Sequence, residues 1–169
     1  MASYSQLSDI GQRFDAFVAT GLEGEADTVH RAQQVLEADG VSERTLQRLS
    51  AIKGSYRLLA AGEMWCPDCQ LNLAALDYLC RLQPRVQLAV VSKARAEHDL
   101  RERLGLDKVS IPLVVVMDCA FEPIGLFVER PRAVVEGSAE VLAAYKAGQC
   151  LEATISDVLA LIENAEKHQ

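Results

Sequence analysis

The chain has 169 residues, a length that suits one domain with an extension. Hydrophobic residues make up 50% and charged residues 24%, which supplies a core and excludes bulk disorder. With 17 basic against 24 acidic residues the formal charge is −7, and no Lys/Arg block occurs, so neither nucleic acid nor an anionic membrane is an expected partner. The longest strongly apolar run, Leu113 to Met117, is far too short to span a bilayer. The N-terminus (MASYSQLSDIGQRFD) lacks a basic start followed by an unbroken apolar stretch, so no secretory signal is expected. Five cysteines, with only one closely spaced pair, do not make a secreted disulfide framework, and a reducing cytoplasm is the expected location.

In chain order, the first third reads as amphipathic helices. Ser8 is the expected N-cap of a helix whose stripe is Ile10, Phe14, Phe17 and Val18. Glycines 21 and 24 break it. Val29, Ala32 and Leu36 make a second stripe closed by Gly40, and Ser42 caps a third helix with Leu46 and Leu49 that ends at Gly54. Residues 1–54 therefore read as a helical N-terminal extension packed on the core, and 55–169 as the main domain. Residues 56–61 (YRLLAA) suit a buried strand, 67–83 a helix apolar over much of its circumference, and 86–91 (VQLAVV) a second strand, together a βαβ unit. A charged surface helix over 94–104, with Leu100 and Leu104 inward, stops at Gly105. Residues 112–117 (PLVVVM) form the third strand and 121–128 the fourth, where Pro123 requires a sheet edge. From Ser138 the chain is helical with a break at Gly148, and Val158, Leu161 and Ile162 pack back. The sum is an α/β layer structure.

The feature that carries chemistry is Trp65-Cys66-Pro67-Asp68-Cys69, at the junction of a predicted strand and helix. A cysteine at that helix start meets unpaired backbone N–H groups and the positive end of the dipole, which favour thiolate. Pro67 suits the first turn because its missing N–H would be unpaired there anyway. Cys69, three residues on, comes within bonding reach of Cys66 but points to the packed face. One sulfur can attack while the other resolves a mixed disulfide.

With these residues the chain resembles the thioredoxin-like family, through W-C-x-x-C between strand and helix and Ile111-Pro112 opening a strand some 40 residues later. The similarity covers roughly residues 50 to 165. GLFVERP (125–131) followed by a C-terminal helix also resembles a bacterial subgroup of thioredoxin family proteins. The resemblance implies a four-stranded mixed sheet in the order second, first, third, fourth, with the third strand antiparallel to the first and helices on both sides. It also implies a cis bond before Pro112, beside the redox pair, with Ile111 offering backbone hydrogen bonds to an extended substrate. Two departures stand out. The buried Asp usual in thioredoxins six residues before the first cysteine is Ala60 here, so Glu63 or a water becomes the candidate proton relay. The dipeptide between the cysteines is usually Gly-Pro, and here it is Pro67-Asp68. The Asp68 carboxylate raises the Cys66 pKa and stabilises the helix start, two effects that act oppositely on redox poise.

The expected function is thiol–disulfide oxidoreduction on protein or small-thiol disulfides, with Cys66 attacking and Cys69 resolving. Trp65, Ile111 and Pro112 contact substrate, and Pro67, Asp68, Glu63 and Arg130 tune the pair. Arg130 either draws an acidic partner or steadies a thiolate, unless it is simply a solvated loop charge. Trp65 contacts substrate or shields the disulfide. Cys80, on the same helix face as Cys69, reads as a small core residue. Cys119 and Cys150 stand apart, and none of His30, His98 and His168 pairs with Cys66 as a base. One C-x-x-C without a second pair does not make a structural zinc site, and no glycine loop for a nucleotide or flavin occurs. No cofactor is expected beyond the Cys66–Cys69 pair itself, so electrons must come from an external thiol reductant or reductase. The alternative is a binding module or redox sensor that holds a partner protein through the groove or the helical extension.

Overall fold

The computed structural model describes residues 1–169. Its elements are α1 (Tyr4–Ile10), α2 (Phe14–Val18), α3 (Glu23–Asp39), α4 (Glu43–Ser50), β1 (Tyr56–Gly62), α5 (Pro67–Leu82), β2 (Val86–Ser92), α6 (Lys93–Leu104), β3 (Leu113–Asp118), β4 (Pro123–Val128), α7 (Arg132–Val135), α8 (Ala139–Lys146) and α9 (Leu151–Lys167). The sheet runs β2-β1-β3-β4. β1 lies parallel to β2, with Tyr56 opposite Val86, and antiparallel to β3, with Leu59 opposite Val115. This is the expected four-stranded mixed sheet with helices on both faces.

Alternation along the strands sorts the core into two layers. Tyr56, Leu58, Ala60, Val114 and Val116 face the large cluster with α5 and α9. Leu59, Ala61, Leu113, Val115 and Met117 face a smaller one with Ala96 and Leu100 of α6 and Leu7 of α1. Both central strands are therefore buried on both faces, which explains their near-continuous apolar runs. The N-terminal helices supply Phe14, Phe17, Val18, Val29, Ala32, Leu36 and Leu49 to the large cluster.

The elements differ from the sequence expectations at places where a side chain or a neighbouring edge captures the backbone. The single helix capped by Ser8 is two short helices. Ser3 is the real N-cap, in a capping box with Gln6, and Ile10 is exposed. The chain leaves the helix at Gly11, where a Cβ would come within 2.9 Å of Ala89 Cβ. Gln12 then exchanges both backbone hydrogen bonds with Val90, at 2.7 and 2.9 Å. That bridge covers part of the free edge of β2, where unpaired N–H and C=O groups would otherwise face solvent. The third helix ends at Ser50 rather than Gly54, because Lys53 and Gly54 donate their N–H groups to Glu166 on α9 at 2.9 and 2.8 Å. The fourth strand begins at Pro123 rather than at 121. The Asp118 carboxylate accepts from Ala120 and Glu122 N–H, and Phe121 turns into the left-handed region (φ 64°). β4 is an edge strand, and Pro123 sits at its first position beside a register shift, where a missing N–H is tolerated. Gly105 (φ 64°) closes α6 in the left-handed conformation, as its position predicts.

Candidate functional site

The site lies where β1 runs into α5. β1 ends at Gly62, and a Cβ there would sit 3.2 Å from Cys69 Sγ, so the strand passes close to the buried sulfur. Met64 follows, buried, and its carbonyl accepts from the Gln70 side chain at 2.7 Å, which fixes the turn before the helix. Trp65 is 65% exposed and stands at the surface next to the motif. Cys66 is the N-cap of α5, with extended backbone (φ −86°, ψ 116°), and Pro67 occupies the first turn.

At that N-cap the Cys66 sulfur accepts the Cys69 N–H at 3.4 Å, in the role a Ser or Asp oxygen usually takes. Its pKa falls from 9.0 to about 7. The hydrogen bond from the Cys69 thiol lowers it most, burial opposes, the Cys69 N–H adds to the lowering and the Asp68 charge works against it. Cys69 is fully buried, and its thiol is pushed far up by its hydrogen bond to Cys66 and by desolvation. The two sulfurs are not bonded to each other. The geometry thus separates one sulfur that ionises near neutrality from one that stays protonated behind it.

The loop before β3 closes the other side. The Ile111–Pro112 peptide is cis. Ile111 O lies 3.8 Å from Cys66 Sγ, and the Pro112 carbonyl accepts from Glu129 N–H at 2.9 Å. Pro112 is buried and Ile111 half-buried. Trp65, Cys66, Pro67, Asp68, Cys69, Ile111 and Pro112 are therefore brought to one end of the sheet. Glu63 is close in sequence, but its carboxylate points to the start of α6, 3.5 Å from Ala94 N, and it meets Cys69 through its backbone. No carboxylate hydrogen-bonds to Cys69, and at Ala60 the sheet is wholly apolar, facing Val90 and Val114.

Arg130 is not a free loop charge. Its Nε donates to Asp68 Oδ1 at 3.0 Å, and the same oxygen accepts the Tyr145 hydroxyl at 2.6 Å. Behind them Asn72 is fully buried, and its Nδ2 lies 2.8 Å from each of Asp68 O, Glu129 O and Tyr145 Oη, three acceptors that share its two N–H groups. Thr154 donates to Asn72 Oδ1 at 2.6 Å. Sequence reasoning missed Asn72, Tyr145 and Thr154. Asn72 did carry a signal, an amide one helical turn after Asp68 and flanked by Leu71 and Leu73. Tyr145 and Thr154 carried none, since their partners are 73 or more residues away.

Cys80 sits far along α5, half-buried, with its thiol pKa raised mainly by burial, as a packing residue should. Cys119 is exposed in the β3–β4 turn, and Cys150 lies before α9. No group of three or more His, Cys, Asp or Glu is placed to hold a metal ion, and no helix is long and apolar enough to cross a membrane.

A family model described as Thioredoxin matches residues 11–146. The crystal structure of a protein of unknown function from Pseudomonas aeruginosa is similar at 57% identity and a TM-score of 0.95, covering 98% of this chain and 99% of that one. An HIV epitope-scaffold is similar at 54% identity and a TM-score of 0.94, covering 96% of this chain and 99% of that one. No curated protein matches. The family match spans most of the chain and includes the strand, the cysteine pair and the Pro112 loop, so this chain belongs to the thioredoxin family.

Proposed function

We propose that this protein is a thiol–disulfide oxidoreductase acting on protein or small-thiol disulfides through Cys66 and Cys69. The observation that carries this reading is the split between the two sulfurs. Cys66 sits at a helix N-cap with its pKa lowered to about 7, while Cys69 is buried behind it with its own pKa raised. At neutral pH a large share of Cys66 is thiolate, and a pKa near ambient pH is the best compromise between thiolate fraction and nucleophilicity.

The Cys66 thiolate attacks one sulfur of the substrate disulfide. A Cys66–substrate disulfide forms, and the other substrate sulfur leaves as thiolate and takes up a proton. Cys69 then gives up its proton and attacks Cys66 Sγ, releasing the second substrate thiol. The substrate is reduced by two electrons, and the Cys66–Cys69 pair is oxidised to a disulfide. An external thiol reductant or a reductase returns it to the dithiol. Forming the mixed disulfide removes the negative charge on Cys66 that opposes ionisation of Cys69, so the resolving thiol becomes easier to deprotonate at the moment it must react. With Ala60 in place of a buried acid, a water entering beside Cys69 takes that proton. The Ile111 backbone beside Cys66 and the exposed Trp65 ring offer a substrate chain polar and apolar contacts respectively.

The test is turnover of glutathione disulfide and of an insulin disulfide with dithiothreitol as reductant. Wild type is expected to accelerate reduction, and Cys66→Ser to abolish the acceleration. A wild type that does not exceed the buffer rate on either substrate would overturn the proposal and leave a binding module of the same fold.

A further inference from the structure

The Asp68 carboxylate has a destination that the exchange chemistry does not by itself require. Placed two residues after Cys66, it repels a thiolate there. Yet the same oxygen, Oδ1, is bound by both the Tyr145 hydroxyl (2.6 Å) and Arg130 Nε (3.0 Å), and the Arg130 guanidinium also lies over the Tyr145 ring, 5.8 Å from its centroid. Tyr145 is 2% exposed, so its hydroxyl works out of reach of competing water. That hydroxyl donates to Asp68 and lies 2.8 Å from Asn72 Nδ2, so both its donor and its acceptor sides face protein groups. Asn72 in turn is held by Thr154 and reaches Glu129 O. Glu129 has left-handed backbone (φ 61°) and donates its N–H to the Pro112 carbonyl. One buried hydrogen-bond network thus joins the residue between the two cysteines, the C-terminal helices α8 and α9, and the loop that faces Cys66.

Building on the exchange reading, we propose that Tyr145 is a positioning residue for the redox pair. With Arg130 it clamps the Asp68 carboxylate, drawing that charge away from the Cys66 sulfur while keeping the first turn of α5 registered against the Pro112 loop. The clamp reconciles two opposed demands. The carboxylate stays at the helix N-terminus, where it stabilises the first turn. Part of its charge is spent on Tyr145 and Arg130, which lessens its repulsion of the thiolate without removing it. The other groups around Cys66 leave this role to the clamp. Cys69 is the only further titratable partner on α5, Glu63 at the end of β1 turns its carboxylate to Ala94, and the Pro112 loop presents the Ile111 carbonyl.

The experiment is the pH dependence of Cys66 alkylation by iodoacetamide in the reduced full-length chain, resolved by mass, with far-UV dichroism as a check on folding. Tyr145→Phe keeps the ring and leaves Asn72 two of its acceptors. Both it and Arg130→Gln are expected to raise the Cys66 midpoint, by roughly half a unit to one unit. Asp68→Asn is expected to lower it. In the Asp68→Asn background, Tyr145→Phe is expected to move it no further, because the charge it controls is gone. A folded Tyr145→Phe protein with the wild-type midpoint would overturn the clamp. So would an equal shift in the Asp68→Asn background, which would mean that the hydroxyl acts without the carboxylate. Should Tyr145→Phe fail to fold, Arg130→Gln decides, and an unmoved midpoint there overturns the clamp. The profile needs no turnover. A chain that reduces no disulfide but titrates as described loses the exchange reading and keeps the clamp, whereas active variants with unmoved midpoints do the reverse.

Discussion

Cys66 and Cys69 are three residues apart in one helix, yet the fold makes them chemically unlike. The difference comes from position at the helix start. The sulfur at the N-cap collects the N–H of Cys69, and the sulfur one turn in is held protonated by its hydrogen bond to Cys66 and by desolvation, against a smaller lowering by the Glu63 backbone. In the reduced protein, alkylation of Cys66 should therefore rise through a midpoint near 7, with Cys69 inert over the same range; a common midpoint for both thiols would contradict the assignment. Cys69→Ser should accumulate a mixed disulfide on Cys66, seen as a mass adduct that dithiothreitol removes, whereas Cys66→Ser should form none. Both cysteines were legible as a pair from spacing alone. The partner of Asp68 was not. Arg130 reads as a loop charge until β4 and the C-terminal helices bring it and Tyr145 to the same oxygen. No local pattern encodes a contact across 62 or 77 residues.

At the scale of elements, most helices and strands with strong periodicity fall where the residues predict; the first helix is instead split at Gly11, and the other errors gather at ends. Ser42 caps α4, Gly40 ends α3 and Gly105 ends α6, because each depends on its own backbone and side chain. The end of α4 and the start of β4 depend instead on carboxylates. Glu166 reaches from across the fold to take the N–H groups that a longer α4 would have buried in its own turn, and Asp118 holds the N–H groups of Ala120 and Glu122 in the turn before β4. α5 buries a polar side chain whose loss should be felt. Asn72 sits in its interior at 0% exposure, and Asn72→Ala leaves Thr154 and the Glu129 carbonyl without this partner. Such a loss should destabilise the protein by about 1–3 kcal/mol for each group left unpaired. Chemical denaturation should show the midpoint falling with the slope retained. A wild-type midpoint would mean that water replaces the amide at no cost.

At the scale of the whole molecule, the N-terminal helices help to build the larger of the two core clusters. Phe14, Phe17, Val18, Val29, Ala32, Leu36 and Leu49 join the cluster of α5 and α9. Fully burying a large apolar side chain is worth about 1.5–3 kcal/mol. Removing several together exceeds a typical total stability of about 5–15 kcal/mol. Residues 55–169 expressed alone should therefore lack a cooperative thermal transition and bind a hydrophobic dye; a sharp melt would show that the main domain stands without its extension. α4 and the loop after it are tied to α9 by carboxylates. Burial would raise Glu152, but hydrogen bonds from Ser42 and Thr45 hold it below the usual 4.5; for Glu166, Gly54, Lys53 and Tyr56 likewise outweigh burial. A carboxyl whose folded pKa is depressed contributes stability above its unfolded pKa and loses it as pH falls through the folded value. Melting temperature should thus drop between about pH 5 and about pH 3, and less steeply in a Glu152→Gln, Glu166→Gln double variant. The sheet order was legible through the family resemblance; the apolar runs Tyr56 to Ala61 and Leu113 to Met117 suit the two interior strands, and Pro123 suits an edge. Exchange through this site requires the two sulfurs to interconvert as a pair. The most direct measurement is an equilibrium redox titration of the full chain in thiol/disulfide buffers, with free thiols trapped by alkylation and counted by mass. A reversible two-electron transition confined to Cys66 and Cys69, in the range of roughly −120 to −270 mV that exchange enzymes span, and absent in Cys66→Ser, is the predicted result. Both thiols free at every poise would contradict it.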